Sequence, residues 1–122
     1  MVMEDAHVHA LNFLERVRRR EENNERVARE LRSRLLAALG ELGPGLGLTR
    51  ALLFGSLAWG GFATDRSDVD IVVFGLDVAA EIQLTTALWE RLDRPVHVVR
   101  AESAAPGLLE RVQRDGVELR VA

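Results

Sequence analysis

Two carboxylates sit one residue apart in an otherwise apolar run, Asp68-Val69-Asp70-Ile71-Val72-Val73. Read as a strand, that run sends Asp68 and Asp70 to one face and Val69, Ile71 and Val73 to the other, into a core. Ionised carboxylates so close together repel, and stripping them of water is costly. A bound cation removes both problems, and Mg²⁺ in particular is held by one or two carboxylates together with substrate phosphates. Upstream, Gly55-Ser56 follows a second apolar run, Thr49 to Phe54. Gly55 has no Cβ and lets backbone approach a ligand closely. Ser56 offers a hydroxyl and an N–H at the start of a short predicted helix, a natural place for an anion. Phosphates held there would lie beside a metal on the aspartates. That chemistry suits phosphoryl or nucleotidyl transfer, where positioning and charge neutralisation supply most of the rate.

The elements around these residues must bring the two runs together. Residues 4 to 42 read as helix, with Val27, Leu31, Leu35, Leu39 and Leu42 at three- and four-residue spacing. Glu15/Arg19, Glu22/Arg26, Glu25/Arg29 and Glu30/Arg34 are in the favourable i,i+4 order, each worth about 0.2–0.5 kcal/mol. No apolar residue lies between Val17 and Val27, so that stretch should face water. The earlier cluster Leu11, Phe13, Leu14 and Val17 needs a cover of its own: the domain, a second subunit in a homo-oligomer, or another protein. Gly40 and Gly43-Pro44-Gly45 should end the helix.

Strands are expected over Thr49–Phe54, Asp68–Phe74 and Val96–Arg100, and a last extended piece over Val117–Val121. Asp77 should cap a helix reaching about Asp93, with Val78, Ile82, Leu88, Trp89 and Leu92 on its core side. A shorter helix is expected from Ser103 to Arg114, entered through Pro106. The class is therefore α/β: helices on a small mixed sheet, with a long helix at the N-terminus. The expected division is a helical extension, residues 1–26, and a domain, residues 27–122.

The chain has 122 residues, enough for one ordinary core. Its net charge of −3 argues against strong nucleic-acid binding through phosphate attraction. All 16 basic residues are arginine, which excludes a Schiff-base or Walker A lysine. Cysteine is absent, and with it thiolate catalysis and cysteine metal sites. No apolar run has transmembrane length, and the first residues lack the order of a signal peptide, so a cytoplasmic location is expected. His7 and His9 are two apart and do not share a helical face. The cluster Arg18-Arg19-Arg20 is diluted by nearby glutamates and reads as a solvated face.

The segment Leu53-Phe54-Gly55-Ser56, eleven residues, then Asp68-Val69-Asp70 resembles the minimal nucleotidyltransferases of the DNA polymerase β superfamily. Their spacer is about ten residues, and the order of elements matches over roughly residues 27 to 122. The resemblance implies a polymerase β-like fold, with Gly55 and Ser56 on the triphosphate of a bound nucleotide and Asp68 and Asp70 on divalent ions. It also implies transfer of AMP from ATP, with Mg²⁺ or Mn²⁺, onto a protein hydroxyl, the acceptor being a HEPN-type toxin paired with this protein as antitoxin. In that family a third carboxylate sits on the next strand. Here the matching segment is Pro95-Val96-His97-Val98-Val99, so the third position is His97. Histidine is a weak ligand for hard Mg²⁺ and suits Mn²⁺ or Zn²⁺ better, but it is an effective general base near neutral pH. Trp59 stands where the family often has a basic residue.

Two further functions compete. One is a silent nucleotidyltransferase fold that neutralises a toxin by contact, docking through Leu11 to Val17; His97 favours it. The other is a small-molecule modifier, for which the chain has no second domain to form a substrate cleft.

Overall fold

The computed structural model describes residues 2–59 and 67–121, with residues 2–7 and Trp59 described by backbone alone. The elements run α1 (Val2–Leu46), β1 (Arg50–Phe54), α2 (Ser56–Trp59), β2 (Val69–Phe74), α3 (Val78–Leu92), β3 (Val96–Arg100), a 3-10 turn (Ala101–Ser103), α4 (Pro106–Asp115) and β4 (Val117–Leu119). The four strands form one mixed sheet in the order β3-β2-β1-β4. β1 pairs antiparallel with β2 and with β4, whereas β2 and β3 are parallel. The parallel pair is joined through α3, as a crossover requires. Among the described residues no helix is long and apolar enough to cross a membrane.

Helices α1 and α3 cover one face of the sheet. Ala28, Leu31, Leu35, Ala38 and Leu39 of α1 meet Ala80, Leu84, Leu88 and Leu92 of α3 over Ala51, Leu53, Val69, Ile71, Val73 and Val96. Leu52 and Val72, on the opposite face, pack with Val112 of α4 and with Ala101.

Three expectations are corrected. Helix α1 does not stop at Gly40 or at Gly43-Pro44-Gly45; it runs through all of them to Leu46. The stop is made by Gly47, whose φ of +91° is the left-handed conformation glycine tolerates. Its N–H donates to the Pro44 carbonyl (3.2 Å) and the Leu48 N–H to the Gly43 carbonyl (3.0 Å). This is a Schellman ending, which satisfies carbonyls that the last turn leaves open. Gly43 has a different duty: a Cβ there would lie 2.6 Å from Leu48 Cδ2.

The core side of α3 also differs. The N-cap Asp77 is as expected, its carboxylate accepting from the Ala80 N–H at 2.7 Å. The buried stripe, however, is Ala80, Leu84, Leu88 and Leu92. Val78 (58% exposed), Ile82 (61%) and Trp89 (46%) lie on the outer side. The helix carries two apolar stripes, and the leucine stripe is the one that fits against α1. Trp89 leans on the sheet edge instead, its Nε1–H donating to the Val96 carbonyl at 2.9 Å.

The charged pairs of α1 are likewise only partly as written in the sequence. Glu15 and Arg19 close at 2.7 Å, but Arg26 turns to Asn23. Arg34 donates to the Arg91 carbonyl, and Glu41 pairs with the Arg91 guanidinium, tying α1 to α3.

Candidate active site

The site is a consequence of strand register. Val69, Ile71 and Val73 are buried in the core, so alternation turns Asp70 to the other face. In the ladders Asp70 stands opposite Phe54 of β1 on one side and His97 of β3 on the other. The rim of the sheet thus aligns the end of β1, the start of β2 and the start of β3.

Asp70 is the centre of this arrangement, its side chain about one-quarter exposed. Its Oδ1 lies 2.9 Å from His97 Nδ1. Its Oδ2 overlies Gly55, where a Cβ would come within 2.5 Å of that oxygen. Gly55 has a φ of +77°, so both its conformation and its neighbour call for glycine. The turn delivers the chain into α2, with the Ala58 N–H donating to the Gly55 carbonyl at 3.1 Å. Ser56 is exposed at the first turn of α2, and fully buried Leu57 fixes that turn to the core. Gly55, Asp70 and His97 are therefore brought together, with Ser56 following Gly55 at the start of α2.

Asp68 lies just before β2, half-buried and two residues from Asp70; strand alternation continued back one step would put it on the Asp70 face. The backbone on either side is held to the β3 side. The Val69 N–H donates to the Pro95 carbonyl at 3.0 Å. Arg94 Nη1–H donates to the Ser67 carbonyl at 3.1 Å. Arg94 is a positioning residue that sequence reasoning passed over as part of a helix break. Its only sequence signal is its place immediately before β3, the neighbour of β2 in any βαβ unit.

His97 is well exposed, its side chain at 58%. Among the described residues no three carboxylate, imidazole or thiol groups converge to hold a metal. An aspartate pair such as Asp68 and Asp70 would suit a hard cation that takes the rest of its shell from phosphate and water. His9 is exposed on α1, remote in sequence from this rim. The His7 and Trp59 rings lie outside the described residues.

Residues 47–120 match the family model for polymerase β nucleotidyltransferases. The chain belongs to that family. Among solved structures, one protein assigned as a minimal nucleotidyltransferase is 31% identical, covering 74% of this chain and 93% of its own, with a TM-score of 0.64. A toxin–antitoxin solved with AMP-PNP is 29% identical over 71% of this chain and 73% of its own, TM-score 0.61. A complex of a tri-AMPylated Shewanella oneidensis HEPN toxin with its MNT antitoxin is 26% identical over 78% and 73%, TM-score 0.58. No curated protein matches the chain. The mixed four-stranded sheet, its covering helices and the long first helix are those of this nucleotidyltransferase fold.

Proposed function

We infer that this protein is a nucleotidyltransferase antitoxin that moves AMP from ATP onto a hydroxyl of a HEPN-type toxin in the cytoplasm. Residues 27–122 form the transferase and residues 1–26 a helical extension. The observation carrying this reading is the position of Asp70, with one oxygen on His97 and the other over the Gly55 bend. Solved relatives carry AMP-PNP in one case and an AMPylated HEPN toxin in another.

In this reading Gly55 and the Ser56 hydroxyl and N–H hold the triphosphate. Asp68 and Asp70 would hold Mg²⁺ or Mn²⁺, which when bound neutralises phosphate charge and polarises the phosphorus centre. Asp70 orients His97: with Nδ1–H donating to the Asp70 carboxylate, the Nε2 lone pair is left for the acceptor. The acceptor hydroxyl oxygen forms a bond to the α-phosphorus as the α–β bridging P–O bond breaks. The hydroxyl proton passes to His97 Nε2, and pyrophosphate leaves with the electron pair.

The test is to incubate the protein with ATP, Mg²⁺ or Mn²⁺ and its HEPN-type partner and to weigh the partner intact. The expected result is a gain of one or more AMP units. An unchanged mass with both metals overturns the transferase reading. His97→Ala should slow transfer by about 10²–10⁴-fold, the usual worth of a general base.

A second reading is favoured by one feature: the rim offers His97 where the family has its third carboxylate. A silent fold that blocks the toxin by binding would show no transfer as isolated, yet would acquire it on His97→Asp.

A further inference from the structure

Asp70 and Asp68 are held by different means. Asp70 lies inside the sheet, paired with Phe54 on one side and His97 on the other. Asp68 precedes both ladders: β2 first pairs with β3 at Val69, opposite Val96, and with β1 at Asp70, opposite Phe54. Ladder pairing therefore does not by itself fix the direction of Asp68.

What reaches this stretch is the connection from α3 to β3. Asp93 closes α3 in the left-handed conformation (φ +51°), its N–H donating to the Trp89 carbonyl at 2.9 Å. Pro95 restricts the preceding Arg94 to extended backbone. The Trp89 indole N–H donates to the Val96 carbonyl at 2.9 Å, and Leu88 and Leu92 are buried, so the connection is tied to the core at both ends. From that base it grips the chain on either side of Asp68. Arg94 Nη1–H donates to the Ser67 carbonyl at 3.1 Å, and the Pro95 carbonyl accepts from the Val69 N–H at 3.0 Å. One step back from Val69 opposite Val96, the parallel register sets Asp68 level with Pro95. Arg94 is half-buried and its Nε is shut off from water. A guanidinium so enclosed is a rigid fork, and its bond to the carbonyl is charge-assisted.

We propose that Arg94 is a positioning residue for divalent-cation binding. By holding the Ser67 carbonyl it continues β2 back through Asp68 and turns that carboxylate to the Asp70 face. It acts through Asp68, and the inference rests on the reading of Asp68 and Asp70 as the cation's ligands. Without the clamp Asp70 keeps its place in the ladders, and the cation loses one of its two acids.

The test is Mn²⁺ binding to the full-length protein in the presence of AMP-PNP, followed by electron paramagnetic resonance. Arg94→Met should weaken Mn²⁺ by about 10–100-fold, the usual cost of removing a residue that orients a ligand. Arg94→Lys should weaken it less, since an ammonium can still donate to the carbonyl but lacks the fork. Asp68→Asn should weaken Mn²⁺ comparably, and adding Arg94→Met to Asp68→Asn should weaken it no further. In AMP transfer, the Arg94→Met deficit should lie in the Mn²⁺ concentration giving half-maximal rate and shrink at saturating Mn²⁺. Unchanged Mn²⁺ affinity in Arg94→Met, or losses that add in the double variant, overturn the positioning role and leave the transferase reading standing. Mn²⁺ affinity unmoved by Asp68→Asn and by Asp70→Asn overturns the cation reading, and this inference with it.

Discussion

Leu14 and Leu35 occupy the same phase of one helix, three heptads apart. Leu35 is fully buried and Leu14 is 61% exposed. Nothing in their immediate neighbourhood in the sequence separates them; both lie on a leucine-bearing stripe of a charged helix. The difference is what else the chain can bring to them. Helix α3 and the sheet reach α1 as far as Ala28, with Glu41 and Arg34 tied to Arg91 of α3 at the covered end. The nucleotidyltransferase rim shows the opposite extreme. There a polar cluster is fixed wholly from within, because register places His97 beside Asp70 and a left-handed Gly55 lies beneath it. Periodicity announces that a face is apolar; only topology decides whether the same chain covers it.

The sharpest way to break the contrast is to truncate both leucines. Leu35→Ala should lower the unfolding free energy by about 2–5 kcal/mol, as expected for a closed core. Leu14→Ala should change it by no more than about 0.5 kcal/mol in dilute protein, the usual range for an exposed site. Urea titration at two protein concentrations reads both. Equal costs in dilute protein would show that the projecting half packs on its own domain. A cost for Leu14→Ala that grows with concentration would instead locate its cover on a second chain.

Glycine substitutions sharpen the same question at the rim. Gly55→Ala must hold a Cβ at a positive φ, at about 1–2 kcal/mol, and push against Asp70 Oδ2. It should therefore lose stability and, more steeply, AMP transfer. Gly40→Ala has open space at a helical position and should gain about 0.5–1 kcal/mol. Gly43→Ala should lose stability instead, since its Cβ would press on buried Leu48. Were Gly55→Ala as harmless as Gly40→Ala, the close packing of the rim on Asp70 would be wrong.

What could be read in advance follows the same division. The bend at Gly55 and the placing of Asp70 beside β3 were legible because a glycine turn and strand alternation are local rules, and the partner strand follows from one crossover. The end of α1 was misplaced because Gly43-Pro44 resembles a stop, whereas the left-handed residue that ends the helix is Gly47. The face of α3 was misassigned because Val78, Ile82 and Trp89 form a second apolar stripe, and only the fit to α1 selects Leu84 and its neighbours. Arg94 was missed because it acts on a backbone carbonyl 27 residues away, at Ser67, which no side-chain pattern reveals.

The smallest expected effect concerns the tie at the covered end of α1. Arg91 hydrogen-bonds Glu41 and holds its carboxyl below the ordinary value of 4.5, the neighbouring charge adding to the effect. A carboxylate with a depressed folded pKa stabilises the protein above its unfolded pKa, and that contribution disappears as pH falls through the folded value. Stability should therefore decline below about pH 4.5, and Glu41→Gln should remove a small part of that decline. Both groups are exposed to solvent, so the effect should also shrink as salt is raised from 0.05 to about 0.5 M. Glu15→Gln, in the projecting half, should leave the acid limb of the domain's unfolding curve unchanged, because its partner Arg19 belongs to the same uncovered stretch. Acid limbs that respond equally to the two substitutions would mean that the projecting half unfolds as one cooperative unit with the body.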